Sequence, residues 1–186
     1  DDRIVYDPAT GNNASWNGAV GTNGANGIIQ SSQGFWLKAN GPAVTTTVSE
    51  SAKTSGNTGG LFGGLIDGEL PVVRLKVHSD MNVYSDESVI VFDQGTPQYE
   101  AGDVEMLVWS HPQAPRIATR SNEGLDLSIN MYGMFSEAIS IPVMVDVQVD
   151  GTYMITVNEI EGIDGLSCLK LEDLVTGTVT PIALDA

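Results

Sequence analysis

The densest chemistry-bearing stretch holds five carboxylates: Asp86, Glu87, Asp93, Glu100 and Asp103, spaced around Gly95 and Gly102. Carboxylates gathered this closely repel one another unless a cation or a set of N–H donors joins them. Their oxygens are the ligand type that Ca²⁺ takes, so one reading of the patch is a calcium site in a loop between strands. The spacing does not match an EF-hand loop. The second reading is a solvated acidic rim. A glycosidase would need two carboxylates facing each other across a cleft, and nothing in the spacing fixes such a pair.

Aromatic rings beside amides form a second constellation. Trp16 lies in the stretch 12–27, where Asn-Gly occurs three times, at Asn17, Asn23 and Asn26. An exposed flat ring next to Asn17 and Asn23 is what a sugar-binding surface requires, and Trp16 is expected to be exposed. Core packing is the ordinary fate of Trp36 and Trp109. Trp36 follows Phe35 in an alternating segment, so one of the two is expected to face inward. His78 and His111 lack metal-ligand spacing. Cys168 sits between apolar residues and is expected to be a buried small hydrophobe without a disulfide partner. No Gly-x-Ser-x-Gly elbow and no phosphate-binding Gly-Lys loop occurs.

The elements that must position these groups read as strands. Apolar residues alternate, or come in short β-branched runs bounded by Gly, Asn, Asp and Pro. Strands are expected near 3–6, 34–39, 44–49, 72–78, 86–92, 106–109, 116–121, 126–130, 140–145, 151–157, 168–173 and 177–182. About twelve short strands at this spacing predict an all-β fold, an antiparallel, jelly-roll-like β-sandwich. Residues 12–27 read as a turn-dense loop. Residues 1–55 form the first strands, 56–70 a Gly-rich connection and 71–186 the main sandwich, the whole making one compact module.

Composition narrows the partners. Asp and Glu number 24 against 8 Lys and Arg, for a net charge of −16. Such a surface repels phosphate backbones and anionic lipid, which disfavours nucleic acid and membrane surfaces. No apolar run reaches the roughly 18 residues of a membrane span. The polar surface comes from Ser, Thr, Asn, Gln and Gly, a balance common in extracellular β-proteins. The abrupt start at Asp1 is expected of a processed protein or a piece of a longer one.

Several segments carry a resemblance. They are Tyr6-Asp7-Pro8-Ala9-Thr10-Gly11, Trp16-Asn17-Gly18 and Gln33-Gly34-Phe35-Trp36-Leu37-Lys38-Ala39. The second half adds Val72-Val73-Arg74-Leu75, Ser85–Asp93, Gly151-Thr152-Tyr153 and Leu171–Gly177. In this order they resemble a module of large secreted Bacteroidetes proteins exported by the type IX secretion system. That module commonly lies just before the C-terminal sorting domain. The resemblance implies a β-sandwich accessory domain at the outer cell surface or outside the cell, with no catalytic residues to carry over. Its expected role is adhesion, spacing or presentation, with a polysaccharide or a surface protein as partner. A carbohydrate-binding module attached to a polysaccharide-degrading enzyme is the alternative.

Overall fold

The computed structural model describes residues 3–7, 10–25, 27–29, 34–37, 45, 47–52, 70–107, 111–163 and 165–184. They form an all-β molecule of antiparallel-dominated sheets with no α-helix among them. In chain order the strands are β1 (Arg3–Asp7), β2 (Asn12–Trp16), β3 (Trp36–Leu37), β4 (Val72–His78), β5 (Ser85–Asp93) and β6 (Val104–Glu105). They continue with β7 (Arg116–Arg120), β8 (Asp126–Gly133), β9 (Val143–Asp146), β10 (Met154–Glu161), β11 (Leu169–Glu172) and β12 (Val179–Ile182).

The main sheet runs β10-β4-β5-β8-β7-β9, with β6 also on β8, and it curls into a half-barrel. Alternation explains its two covered faces. On one face Val72, Val89, Val91, Val104 and Ile129 pack with Ile4 and Val20 of the N-terminal segment. On the other, Val73, Leu75, Val77, Ile90, Phe92, Ile117 and Tyr132 gather the flanking Phe135, Val157 and Leu169. The run Val89–Phe92 is apolar throughout because β5 is central and covered on both sides. The small sheet β2-β1-β3 brings the N-terminal segment to the first face. β11 and β12 form a separate two-stranded sheet.

One pairing among the described strands is parallel: β5 runs alongside β8 from Val89↔Ile129 to Asp93↔Gly133. Ile129 faces Val89 and Val104, whereas Leu127 faces Glu105 and Thr119. A strand residue has one neighbour on each side, so β5 and β7 share one side of β8. β7 takes its start and β5 its end. The gap between β5 and β7 leaves backbone groups to be satisfied by side chains.

The observed strands depart from expectation in several places. β2 occupies residues expected to be loop. Its buried Asn12 explains this: Asn12 Nδ2 donates to the carbonyls of Ser85 at 2.9 Å and Pro115 at 2.8 Å, so distant contacts extend a polar segment. Positions 45 and 47–49 are in no strand, and a single 3₁₀ turn follows at Glu50–Ala52. The strand expected at 106–109 is replaced by Val104–Glu105, with 108–110 outside the described residues. The 56–70 connection lies outside them too, apart from Leu70, which packs against the core.

Candidate functional site

The residues with the strongest chemical potential converge where the N-terminal segment meets β4, β5 and β7. Residues 22–25 form the tight turn that starts this site. Ala25 N donates to Thr22 O at 2.9 Å, and Asn23 and Gly24 take positive φ of 49° and 76°. Asn-Gly suits two consecutive left-handed positions, as in a type I′ turn. This turn carries the Asn23 amide into the main sheet. Asn23 Nδ2 donates to Asp86 Oδ1 at 3.0 Å and to Asn13 O at 2.9 Å, while Asn23 N donates to Glu87 Oε1 at 3.0 Å.

Asp86 is buried. Its Oδ2 accepts the N–H of Ile117 on β7 at 3.0 Å, so the carboxyl bridges the gap between β5 and β7. Burial raises its pKa to about 7; N–H bonds from Ile117, Asn23 and Glu87 pull the other way. Beside it, Arg74 spans three segments. Its Nη1 donates to Glu87 Oε1 at 2.8 Å and to Gly21 O at 2.7 Å, and its Nε donates to Glu159 Oε2 at 2.6 Å. Burial works against the Arg74 charge, yet Glu87 and Glu159 outweigh it and its pKa is raised. The Arg74 hydrogen bond holds Glu159 below the usual carboxylate range.

A second cluster ties the other end of the loop. Asp103 is buried, its Oδ1 accepting Met131 N at 2.7 Å and its Oδ2 accepting Glu100 N at 2.8 Å. Glu100 Oε1 accepts the N–H of Thr96. Asn17 Oδ1 accepts N–H bonds from Ala19 and Val20, and Asn17 Nδ2 donates to Gly102 O at 2.8 Å. Asn17 and Asn23 are thus both engaged in holding residues 17–25 against the main sheet.

The five carboxylates do not form one group. Asp86 and Glu87 sit at the Asn23 turn, Glu100 and Asp103 in the turn before β6, and exposed Asp93 at the far end of β5. Among the described residues no three His, Cys, Asp or Glu side chains are placed to hold a metal ion. Sequence reading found the residues but not their donors. Backbone N–H groups and asparagine amides are invisible in a spacing pattern.

The aromatic expectations are corrected. Trp16 is buried, 6% exposed, with Gly27 packed against its indole. The bridge Trp16↔Gly21 folds residues 17–20 back toward it. Trp36 is the exposed ring at 65%, and Phe35 beside it at 39% is exposed too, so neither faces inward. Trp109 lies outside the described residues. Cys168 is exposed rather than buried, because it precedes a hairpin that the main sheet leaves largely uncovered.

His111 has a partner that sequence spacing did not show. It stacks on Tyr84 with ring centroids 4.2 Å apart, and Tyr84 Oη lies 3.2 Å from His111 Nε2. Gln113 N donates to His111 Nδ1 at 3.2 Å, which places the neutral ring's proton on Nε2 and makes Tyr84 Oη the acceptor. Gly11 packs against the Tyr84 ring at a positive φ of 73°; a Cβ there would lie 2.6 Å from the ring. No helix among the described residues is long and apolar enough to cross a membrane. No protein family, curated protein or solved structure matches this chain.

Proposed function

We propose that the chain is a non-catalytic β-sandwich module of a larger secreted or cell-surface protein, serving adhesion, spacing or presentation. One observation carries this reading. The side chains best suited to chemistry, Asp86, Glu87, Arg74 and Asp103, are occupied in stapling segments of backbone together. A catalytic carboxyl needs room beside it for a substrate; Asp86 has Asn23 on one oxygen and Ile117 on the other. The order of the segments that resemble type IX secretion cargo supports the same reading. A calcium ion would enter at Asp86 or Asp103 only by displacing these N–H donors. Chelator is therefore expected to leave the melting temperature unchanged, and a drop of several degrees would restore a calcium site.

The test is deletion of this module from the full-length protein. Turnover by the remaining domains is expected to stay unchanged while retention at the cell surface or on its target falls. Loss of turnover with the other domains still folded would sink the proposal.

The second reading is carbohydrate binding, and it moves from Trp16 to Trp36. Trp36 on β3 and Phe35 just before it are both exposed, with Tyr6 of β1 44% exposed in the same sheet. Aromatic rings of this kind stack on sugar faces. Affinity electrophoresis through a panel of polysaccharides, comparing the wild type with Trp36→Ala, decides it. Identical mobility across the panel removes this reading.

A further inference from the structure

The C-terminal hairpin has two backbone edges, and they differ. Asp173 N donates to Thr178 O at 2.9 Å, next to the pair Glu172↔Val179. Hydrogen-bonded and non-hydrogen-bonded pairs alternate along an antiparallel ladder. Leu171↔Thr180 and Leu169↔Ile182 are therefore bonded pairs, and Glu172↔Val179 and Lys170↔Pro181 are not. It follows that the N–H and C=O groups of Lys170 and Glu172 point outward from β11. On β12 the outward positions are Val179 and Pro181, and Pro181 has no N–H to offer. A proline at this place blunts an edge. The outer strand β10 of the main sheet is blunted in another way, by a bulge between Val157 and Glu159. The β11 edge carries neither device.

Among the described residues no further strand pairs with this edge, and the edge is self-complementary. When a second β11 is turned end over end about Leu171, Lys170 faces Glu172 of the other copy, and Glu172 faces its Lys170. These are the same residues whose backbone groups point outward, so ladder parity and charge agree at one register. Slipping by two residues one way sets Lys170 against Lys170; slipping the other way sets Glu172 against Glu172. Like charges directly opposite are unfavourable, so both slips are penalised. The favoured register also brings Leu174, 84% exposed at the hairpin turn, near the exposed Cys168 of the second copy.

We infer that the β11 edge is a homotypic pairing site, at which two copies of the chain join their hairpins into one four-stranded antiparallel sheet. The association is isologous, each copy supplying the same strand. It is also weak. The edge is four residues long and its ion pairs are exposed, each worth about 0–1 kcal/mol. The net charge of −16 on each copy opposes approach, and salt screens that repulsion over about 8 Å at physiological strength. None of this depends on the accessory role proposed above.

Sedimentation velocity over a concentration series at physiological salt tests the pairing. A monomer–dimer equilibrium is expected, strengthening with added salt. Glu172→Lys and Lys170→Glu each place like charges opposite one another and are expected to weaken it by about tenfold or more. The double exchange K170E/E172K restores opposite charges and is expected to recover the wild-type constant within about threefold. Both side chains are exposed, and far-UV circular dichroism checks that the variants fold. Leu171→Cys in a Cys168→Ser background is expected to give an oxidised dimer, since Leu171 meets its own copy in a close non-bonded pair. A chain that stays monomeric throughout overturns the inference. So does a dimer that ignores Glu172→Lys, or one that the double exchange does not restore.

Discussion

Asn23 and Asp86, 63 residues apart in the chain, meet side chain to side chain at 3.0 Å inside the joint between the N-terminal loop and the main sheet. The same asparagine reaches Glu87 through its backbone and Asn13 through its amide. One small turn therefore holds polar groups of two strands, β2 and β5. Four expectations follow from how that joint and its surroundings are built.

Asn23→Ala removes both amide donors and puts a Cβ residue that poorly tolerates positive φ at 49°. A loss of about 2–4 kcal/mol is expected, from the lost hydrogen bond to the buried Asp86 carboxyl and the backbone strain together. Asn23→Gly keeps the backbone conformation and is expected to lose less. Urea denaturation compares the two; equal losses would show that backbone geometry contributes nothing.

Stability is expected to depend on pH through Asp86. Its folded pKa is raised from 3.8 to about 7, so the folded state holds the proton more tightly than the unfolded chain. This contribution is fully present below about pH 4 and is lost as pH rises through about 7. Between those limits unfolding free energy falls with pH, by up to a few kcal/mol, and above them this group adds no slope. The neighbouring Glu87, Glu159 and Arg74 belong to the same joint, so the comparison is with Asp86→Asn, which cannot titrate. Wild type and variant should differ in slope between pH 4 and 7; parallel curves would refute the assignment.

Gly21 is packed so that a Cβ would lie 2.0 Å from Ala25 O. Its own carbonyl accepts from Arg74. Gly21→Ala must shift backbone at the tight turn and disturb that bond. A destabilisation of about 2 kcal/mol or more is expected in thermal melts, whereas Gly165→Ala, with open space around it but a positive φ of 79°, is expected to cost about 1 kcal/mol.

The two tryptophans should separate stability from surface chemistry. Trp16→Ala empties a buried site and is expected to cost about 3–5 kcal/mol. Trp36→Ala changes an exposed ring and is expected to stay within about 0.5 kcal/mol of wild type. Equal melting temperatures for the pair would contradict the burial of Trp16.

Much of the main sheet was legible because its strands obey period two. β4 places Val73, Leu75 and Val77 on one face, and its observed limits, Val72–His78, coincide with those read from the sequence. The Asn12–Trp16 strand was not legible, since a polar segment becomes a strand there only through bonds to Ser85 and Pro115. Trp16 looked exposed for a related reason. Its asparagine-rich surroundings suggested solvent, but Asn17 and Asn23 spend their polar groups on the main sheet and carry the ring inward with them. The clustered carboxylates were visible, and their separation was not. Sequence spacing along β5 does not say that its two ends serve different turns. Cys168 shows the opposite error, an apolar setting in sequence that is left exposed among the described residues.

The Asn12 side chain closes a loop of 103 residues when it binds Pro115. β5 likewise finds its parallel neighbour β8 only after β6 and β7 have been made. Contacts of such sequence separation delay folding, because loop entropy is lost before the contacts form. During synthesis β1 and β2 emerge long before β5 and β8, the strands they pack on. Refolding from denaturant should accordingly be slow, with β1 and β2 acquiring hydrogen-exchange protection last.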